Sequence, residues 1–377
     1  MTDEPSPITD HRPTVWLLLG KGAGGNAQMI ALAEALGWPY EAKQIVYNRL
    51  NRIPNIILGA SVAAVDRTGS AALAAPWPDL VIAGSRRSAP VARWIKKQSG
   101  GKTRLVHLMH TQVPPEDFDL LITTPQYRLP LRPNILHNTG PLNPLPADKL
   151  AAAATRWRDR LDRLPRPWTA LLVGGNSSAY VLDAPTAARL GRQASEMVTA
   201  AGGSLLLSTS PRTPPDAADA LIAEIECPAH LYRWQRNDPE NPYLAFLALA
   251  DQFIVTADSA SQLVEACQTG KPVQVFDWPR RQPRSALKRA LLRWGEHRGD
   301  STTPPRDWSG RLFDWLVYIG LIKPPRDFAT LRRALRQRGV LRDLGEQPST
   351  EHLPFDDMER AVERVRQVMG LAGPRPI

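Results

Sequence analysis

Only two cysteines occur in 377 residues, Cys227 and Cys267, which excludes a disulfide framework and a cysteine-rich zinc site. They read as small buried apolar groups. No apolar run reaches the ~20 residues that cross a bilayer. The opening MTDEPSPITDHRPT lacks the basic and apolar regions of a secretory signal. Zinc-finger spacing and an RNA-recognition aromatic signature are both missing, so no nucleic-acid partner is expected. No Gly-Lys-Ser/Thr closes a Walker loop and no G-x-S-x-G elbow marks a hydrolase. A DxD pair or a His/Cys metal cluster is equally hard to find. What is present is 43% apolar and 22% charged residues, enough for a sizeable core in two or three domains. These features predict a soluble, cytoplasmic protein.

The net charge of +10 is local. Residues 280–343 hold sixteen Lys/Arg against six Asp/Glu, which is the whole excess of the chain. Such a segment suits an anionic membrane surface or nucleotide phosphates. An arginine-rich, solvated helical face explains it equally well.

Apolar runs alternate with helical patterns along the chain. VWLLLG (Val15–Gly20) leads into KGAGGNAQ and then MIALAEALG, a buried strand, a glycine turn and a helix stopped by Gly37. Further strands are expected at Leu80–Gly84, Leu105–Met109 and Leu120–Thr123. The proline-flanked, Ala/Arg-rich stretch 141–168 reads as the connection between halves. The pattern then restarts with the strand Thr169–Gly175, the helix Thr186–Ala201 and the strand Gly203–Ser210. A helix near Pro215–Ile225, the strand Gln252–Thr256, the helix Ser259–Thr269 and the strand Pro272–Phe276 follow. Residues 295–309 read as a loop, and Arg311–Ile322, Phe328–Arg338 and Asp356–Gly370 as helices. The expected divisions are a disordered tail 1–13, a Rossmann-like domain 14–145, a linker helix 146–168, a second Rossmann-like domain 169–310 and a helical region 311–377 packing back on both. Alternation of this kind implies parallel sheets with helices on their faces, and ligands at the carboxyl ends of the strands.

Two glycine loops are the candidate sites. In the first, Gly22, Gly24, Gly25, Asn26 and Gln28 stand at a helix start, where backbone N–H groups and the helix dipole favour a phosphate or a polar acceptor. Tight strand-to-helix packing selects glycine too. In the second, Gly174, Gly175, Asn176, Ser177 and Ser178 combine glycines with hydroxyls. Its companion is TADSASQLVEACQTGKP (Thr256–Pro272). There Asp258 or Ser259 would cap a helix carrying Ser261, and Glu265 could accept both hydroxyls of a ribose. A capped helix with an ordinary surface glutamate is the plainer alternative.

LVGGNSSA, followed by ALADQFIVTADSASQLVEACQTGKPVQVF, resembles the nucleotide-sugar half of GT-B glycosyltransferases, the lipid-II-forming N-acetylglucosaminyltransferase family in particular. GAGGNAQMIALAEALG is similar to that family's GTGGH-type loop, with Asn26 where the family has histidine. WLLLGKGAGGNAQ, AGSRRSAPVARWIKK and NPYLAFLALADQFIVTADSASQLVEACQTGKPVQVF more closely resemble the bacterial relatives of the plant elongated-mitochondria fission proteins, over most of the chain. The first loop departs from that family's DGKAGHENQ-like form by lacking its aspartate and histidine.

The resemblance implies a GT-B-like α/β fold of two Rossmann-like domains facing across a cleft. It implies either a metal-independent glycosyltransferase or a non-catalytic membrane adaptor. The transferase would take a nucleotide sugar as donor, need no cofactor, and act on a lipid-linked or envelope glycan at the inner face of a membrane. Arg86 and Arg87, between a strand and a helix, would then bring guanidinium groups toward the cleft, unless they are a solvated loop. His110, in a segment similar to the HEQN-like acceptor segment, is the candidate base, whereas His107 alternates with core residues and reads as structural. The apolar stretch Ile53–Val65 suits either an interfacial contact or a core helix. A dehydrogenase or epimerase is not expected, since GKGAGG is no clean dinucleotide fingerprint and no Tyr-x-x-x-Lys pair stands out. Oligomeric state is not legible.

Overall fold

The structure, a computed structural model, describes residues 12–127, 129–142, 145–177, 180–279, 308–318, 328–347 and 355–371. Most of the expected N-terminal tail, Ser178, the loop at 295–307, and Arg280, Arg281 and Arg284 of the basic segment lie outside the described residues.

The N-terminal half runs β1 (Val15–Leu19), α1 (Ala23–Leu36), β2 (Tyr40–Gln44), α2 (Asn55–Leu58), β3 (Leu80–Gly84), α3 (Ser88–Gln98), β4 (Arg104–Leu108), β5 (Leu120–Thr123) and β6 (Ile135–His137). All six strands are parallel, in the order β2-β1-β3-β4-β5-β6. Every residue of β1 and β3 is buried, as befits strands covered on both faces. Gly37 ends α1 in the left-handed region (φ 70°), its N–H shared between the Ala33 and Glu34 carbonyls.

After α4 (Ala147–Leu161) the second half runs β7 (Trp168–Leu172), α5 (Ala184–Ala200), β8 (Ser204–Ser208), α6 (Pro215–Ala223), β9 (Ala229–Tyr232), α7 (Tyr243–Leu249), β10 (Gln252–Thr256), α8 (Ala260–Gln268) and β11 (Val273–Phe276). Then come α9 (Trp308–Tyr318), α10 (Phe328–Gln337), β12 (Arg342–Asp343) and α11 (Asp357–Val368). The second sheet is again six parallel strands, ordered β12-β11-β10-β7-β8-β9. The fold is GT-B-like, with two Rossmann-like α/β units.

Several expectations change. The strands β2, β6, β9 and β12 were not foreseen, because they are short, polar or at sheet edges. In β2 only Lys43 is buried; its ammonium lies over Trp16 (4.3 Å) and pairs with Glu41 (2.6 Å). The stretch Ile53–Val65 is not one helix: only Asn55–Leu58 is helical, Ile56 and Ile57 are exposed, and Tyr47 bridges Val65. Helix α9 starts at Trp308, inside what read as loop.

The C-terminal segment divides between the halves. Phe328, Leu331, Leu335, Val340 and Leu341 join the second core, while Ala361 and Val365 of α11 join the first. Asp357, at the start of α11, accepts the N–H groups of Thr139 and Gly140, both at 2.9 Å. Burial raises its pKa, against the pull of those two N–H groups and of Arg338 and Arg360.

Candidate functional site

In the first sheet the strand order reverses between β1 and β3, and in the second between β7 and β10. Crevices open at such points because the helices that follow the two strands leave on opposite faces. The loops singled out in the sequence stand at these reversals: Gly20–Gly25 and Ser85–Arg87 in the first half, Gly174–Ser177 and Ala257–Ser259 in the second. The crossover 138–142 joins them. Leu142 N–H donates to Gln28 of α1 (3.2 Å), and a Cβ on Gly140 would fall 2.6 Å from Val264 of α8, so glycine lets the halves touch there.

In the second half the glycines serve the protein itself. Gly174 N–H donates to Thr256 Oγ1 (2.7 Å), Gly175 N–H to Asp258 Oδ2 (3.0 Å) and Asn176 N–H to the Arg212 carbonyl (2.9 Å). A Cβ on Gly174 would lie 2.3 Å from Asp258 Oδ1, and one on Gly175 2.1 Å from the Arg212 carbonyl oxygen; Gly175 also has φ 152°. These three N–H groups are therefore spent inward, on the protein itself. Asn176 Oδ1 accepts Leu182 N–H, and Ser177 closes a local turn with Tyr180. The loop's far end is held by Arg332 of α10, which binds the Tyr180 hydroxyl (3.0 Å) and Asp277 (2.5 Å).

The expected helix cap is corrected. Ser259 occupies the N-cap of α8 without a side-chain cap bond, and Asp258 instead takes Gly175 N–H and the Arg212 guanidinium (2.5 Å). Burial raises the Asp258 pKa, opposed by Arg212. Ser261 is exposed in the first turn of α8. Glu265 is half-buried and accepts a hydrogen bond from the Tyr243 hydroxyl; burial, then the Glu265 charge, raise the Tyr243 pKa well above its ordinary value.

The first half looks different. Asn26 clasps Gly20, accepting its N–H (3.1 Å) and donating to its carbonyl (2.7 Å), while Gln28 reaches back to the Gly24 carbonyl (3.2 Å). Gly22 and Gly24 face open space, and Gly25 is 3.3 Å, at its virtual Cβ, from Met109. The Arg86 guanidinium donates to the backbone carbonyls of Asn51 and Ile53, and buried Asn55 donates to those of Arg86 and Thr111. These bonds fasten α2, with exposed Ile56 and Ile57, to the carboxyl ends of β3 and β4. Arg87 is exposed.

His107 is fully buried, its Nε2 3.0 Å from the Ser85 carbonyl, and burial pushes its pKa down to about 4. His110 Nδ1 accepts Gln112 N–H (2.9 Å), so the neutral ring carries its proton on Nε2, an atom buried from solvent. Acting as a base would require breaking that bond. Ser85 (φ 104°), Met109 (φ 70°) and Gln112 (φ 55°) hold positive φ in the same two loops, a concentration of backbone strain that marks sites under constraint.

The model of the family described as mitochondrial fission ELM1 matches residues 23–297. The chain belongs to that family. Mitochondrial fission protein ELM1 of Arabidopsis thaliana is 30% identical over 220 residues, 52% of this chain and 51% of that one. The match thus spans about half the length of the plant protein. The uncharacterized protein RP120 of Rickettsia prowazekii is 25% identical over 295 residues, 70% of this chain and 82% of that one. Among solved structures, UDP-GlcNAc 2-epimerase of Methanocaldococcus jannaschii is 12% identical with TM-score 0.49, covering 95% of this chain and 99% of that one. A likeness so remote says nothing of activity.

Arg212 was missed in the sequence. It sits in TSPRTP beyond β8, without a glycine motif, and its pairing with Asp258 across 46 residues and with Asn176 N–H holds it at the crevice. Tyr243 was missed for the same reason. Among the described residues no His/Cys/Asp/Glu group is arranged to hold a metal, and no helix is long and apolar enough to cross a membrane.

Proposed function

We propose that the chain is a GT-B-type glycosyltransferase that binds a nucleotide sugar in the second crevice and transfers the sugar, without a metal, to a lipid-linked or envelope glycan at the cytoplasmic face of a membrane. The observation that carries this reading is the convergence of the Gly174–Ser177 loop, the start of α8 and the Tyr243-braced Glu265 at the reversal between β7 and β10. Nucleotides bind open parallel sheets at such reversals. Glu265 takes the ribose hydroxyls, and the N-terminus of α8 with Ser259 and Ser261 faces the phosphates. In the first crevice the open Gly22 and Gly24 and the exposed Arg87 receive the acceptor. Exposed Leu50, Ile56 and Ile57, flanked by Arg49 and Arg52, lie beside it and suit the apolar part of a lipid and an anionic surface. A panel of nucleoside diphosphates and nucleotide sugars, read by thermal shift and calorimetry, tests the donor site. Binding by none of them removes this function. Flotation on phosphatidylglycerol-rich vesicles tests the membrane contact; none at low salt removes that part.

A second reading, a non-catalytic membrane adaptor, draws on the Asn26 clasp and on a His110 tautomer that offers no base. Nucleotide binding without turnover of any bound sugar would favour it.

A further inference from the structure

The N–H groups of Gly174, Gly175 and Asn176 point inward, so of the loops around the second crevice this one offers an anion no backbone donor from those three residues, and a charged side chain beside the start of α8 takes that part. We propose that Arg212 is the anion-binding group and that its ligand is a diphosphate. The Asp258 side chain is completely buried, while the Arg212 side chain keeps 38% of its surface exposed. A buried carboxylate is stable only when paired, so Asp258 holds Nη1 of Arg212 at 2.5 Å and fixes one end of the guanidinium. The side chain as a whole stays partly at the surface. A guanidinium carries five donors in one plane, and those not used by Asp258 match two phosphate oxygens.

The backbone beneath Arg212 is fixed with equal care. Its carbonyl accepts Asn176 N–H (2.9 Å), its N–H donates to Ser210 Oγ (3.3 Å), and Ser210 Oγ donates to the Gly174 carbonyl (2.7 Å). The missing side chains of Gly174 and Gly175 are what let Asp258 and the Arg212 backbone come this close. The pair of glycines therefore acts at one remove, by seating an arginine. Arg212 lies just beyond β8, and its bond to Asp258 brings the guanidinium beside the start of α8, so an anion bound there meets a guanidinium and a helix N-terminus together.

The identity of the ligand as part of a nucleotide rests on the function proposed above; anion binding by Arg212 does not. The test is calorimetry with inorganic pyrophosphate, uridine and UDP on wild type, R212Q and R212K, with thermal midpoints recorded for each. Wild type should bind pyrophosphate. R212Q should weaken pyrophosphate and UDP at least tenfold and leave any uridine binding unchanged, and R212K should fall between. D258N, which frees the guanidinium, should weaken pyrophosphate several-fold. No pyrophosphate binding by wild type, or equal pyrophosphate affinities in wild type and folded R212Q, overturns the proposal. Pyrophosphate binding that depends on Arg212, with UDP no tighter than pyrophosphate, leaves Arg212 standing and removes the nucleotide.

Discussion

The two crevices have the same topology and opposite construction. Both lie where a parallel sheet reverses its strand order, and both begin with a glycine loop. In the second half the glycines are crowded: a carboxylate and a neighbouring backbone occupy the space where their side chains would be. In the first half Gly22 and Gly24 are open, and order comes from amide clasps by Asn26 and Asn55 and from three residues at positive φ. A glycine in a strand–helix turn is thus not one signal. It can admit a ligand, or it can admit another part of the protein, and only the neighbours decide.

The sharpest test of that difference is alanine at each kind of glycine. Gly175→Ala should cost about 2–5 kcal/mol, from overpacking against the Arg212 carbonyl and the positive φ. Gly24→Ala, exposed in the first turn of α1, should shift stability by less than ~1 kcal/mol. Denaturant unfolding of both variants checks this, and equal costs would erase the contrast.

The next effect lies in the first half. His107 has its pKa pushed down to about 4, below the ordinary 6.5, so the unfolded chain binds the proton more readily. Its contribution is complete above about pH 6.5 and is lost as pH falls toward 4, on the order of 3 kcal/mol in all. His107→Gln should flatten the slope of stability against pH across that window. An unchanged slope would place the acid sensitivity elsewhere.

Smaller effects probe function and clasp. Glu265→Ala should weaken nucleoside diphosphate binding by about 1–3 kcal/mol in calorimetry, the usual loss for a hydrogen bond to a charged group. Equal affinities would remove Glu265 from the site. Asn26→Ala should lower stability by about 1–2 kcal/mol through its two bonds to Gly20, with nucleotide affinity unchanged. A change in nucleotide affinity there would mean that the two crevices act on one ligand.

The two α/β units were legible in the chain alone, because strands buried on both faces must be continuous apolar runs, and VWLLL, LVIAG and LLIT could be little else. The sequence also located both candidate loops, since glycine clusters between strand and helix are local features. It did not reveal β2 or β12: an edge strand such as YEAKQ hides no apolar face, and β12 is two residues long. Nor did it reveal where donors point. Asp258 read as a helix cap from its place before α8, and the tertiary structure gave it to Arg212 and Gly175. Arg212 and Tyr243 carry no motif of their own, and acquire a role only because the fold brings them to Asp258 and Glu265. Periodicity and turn chemistry are written within a few residues of each other, whereas an ion pair across a crevice exists only once the sheet between its partners has formed.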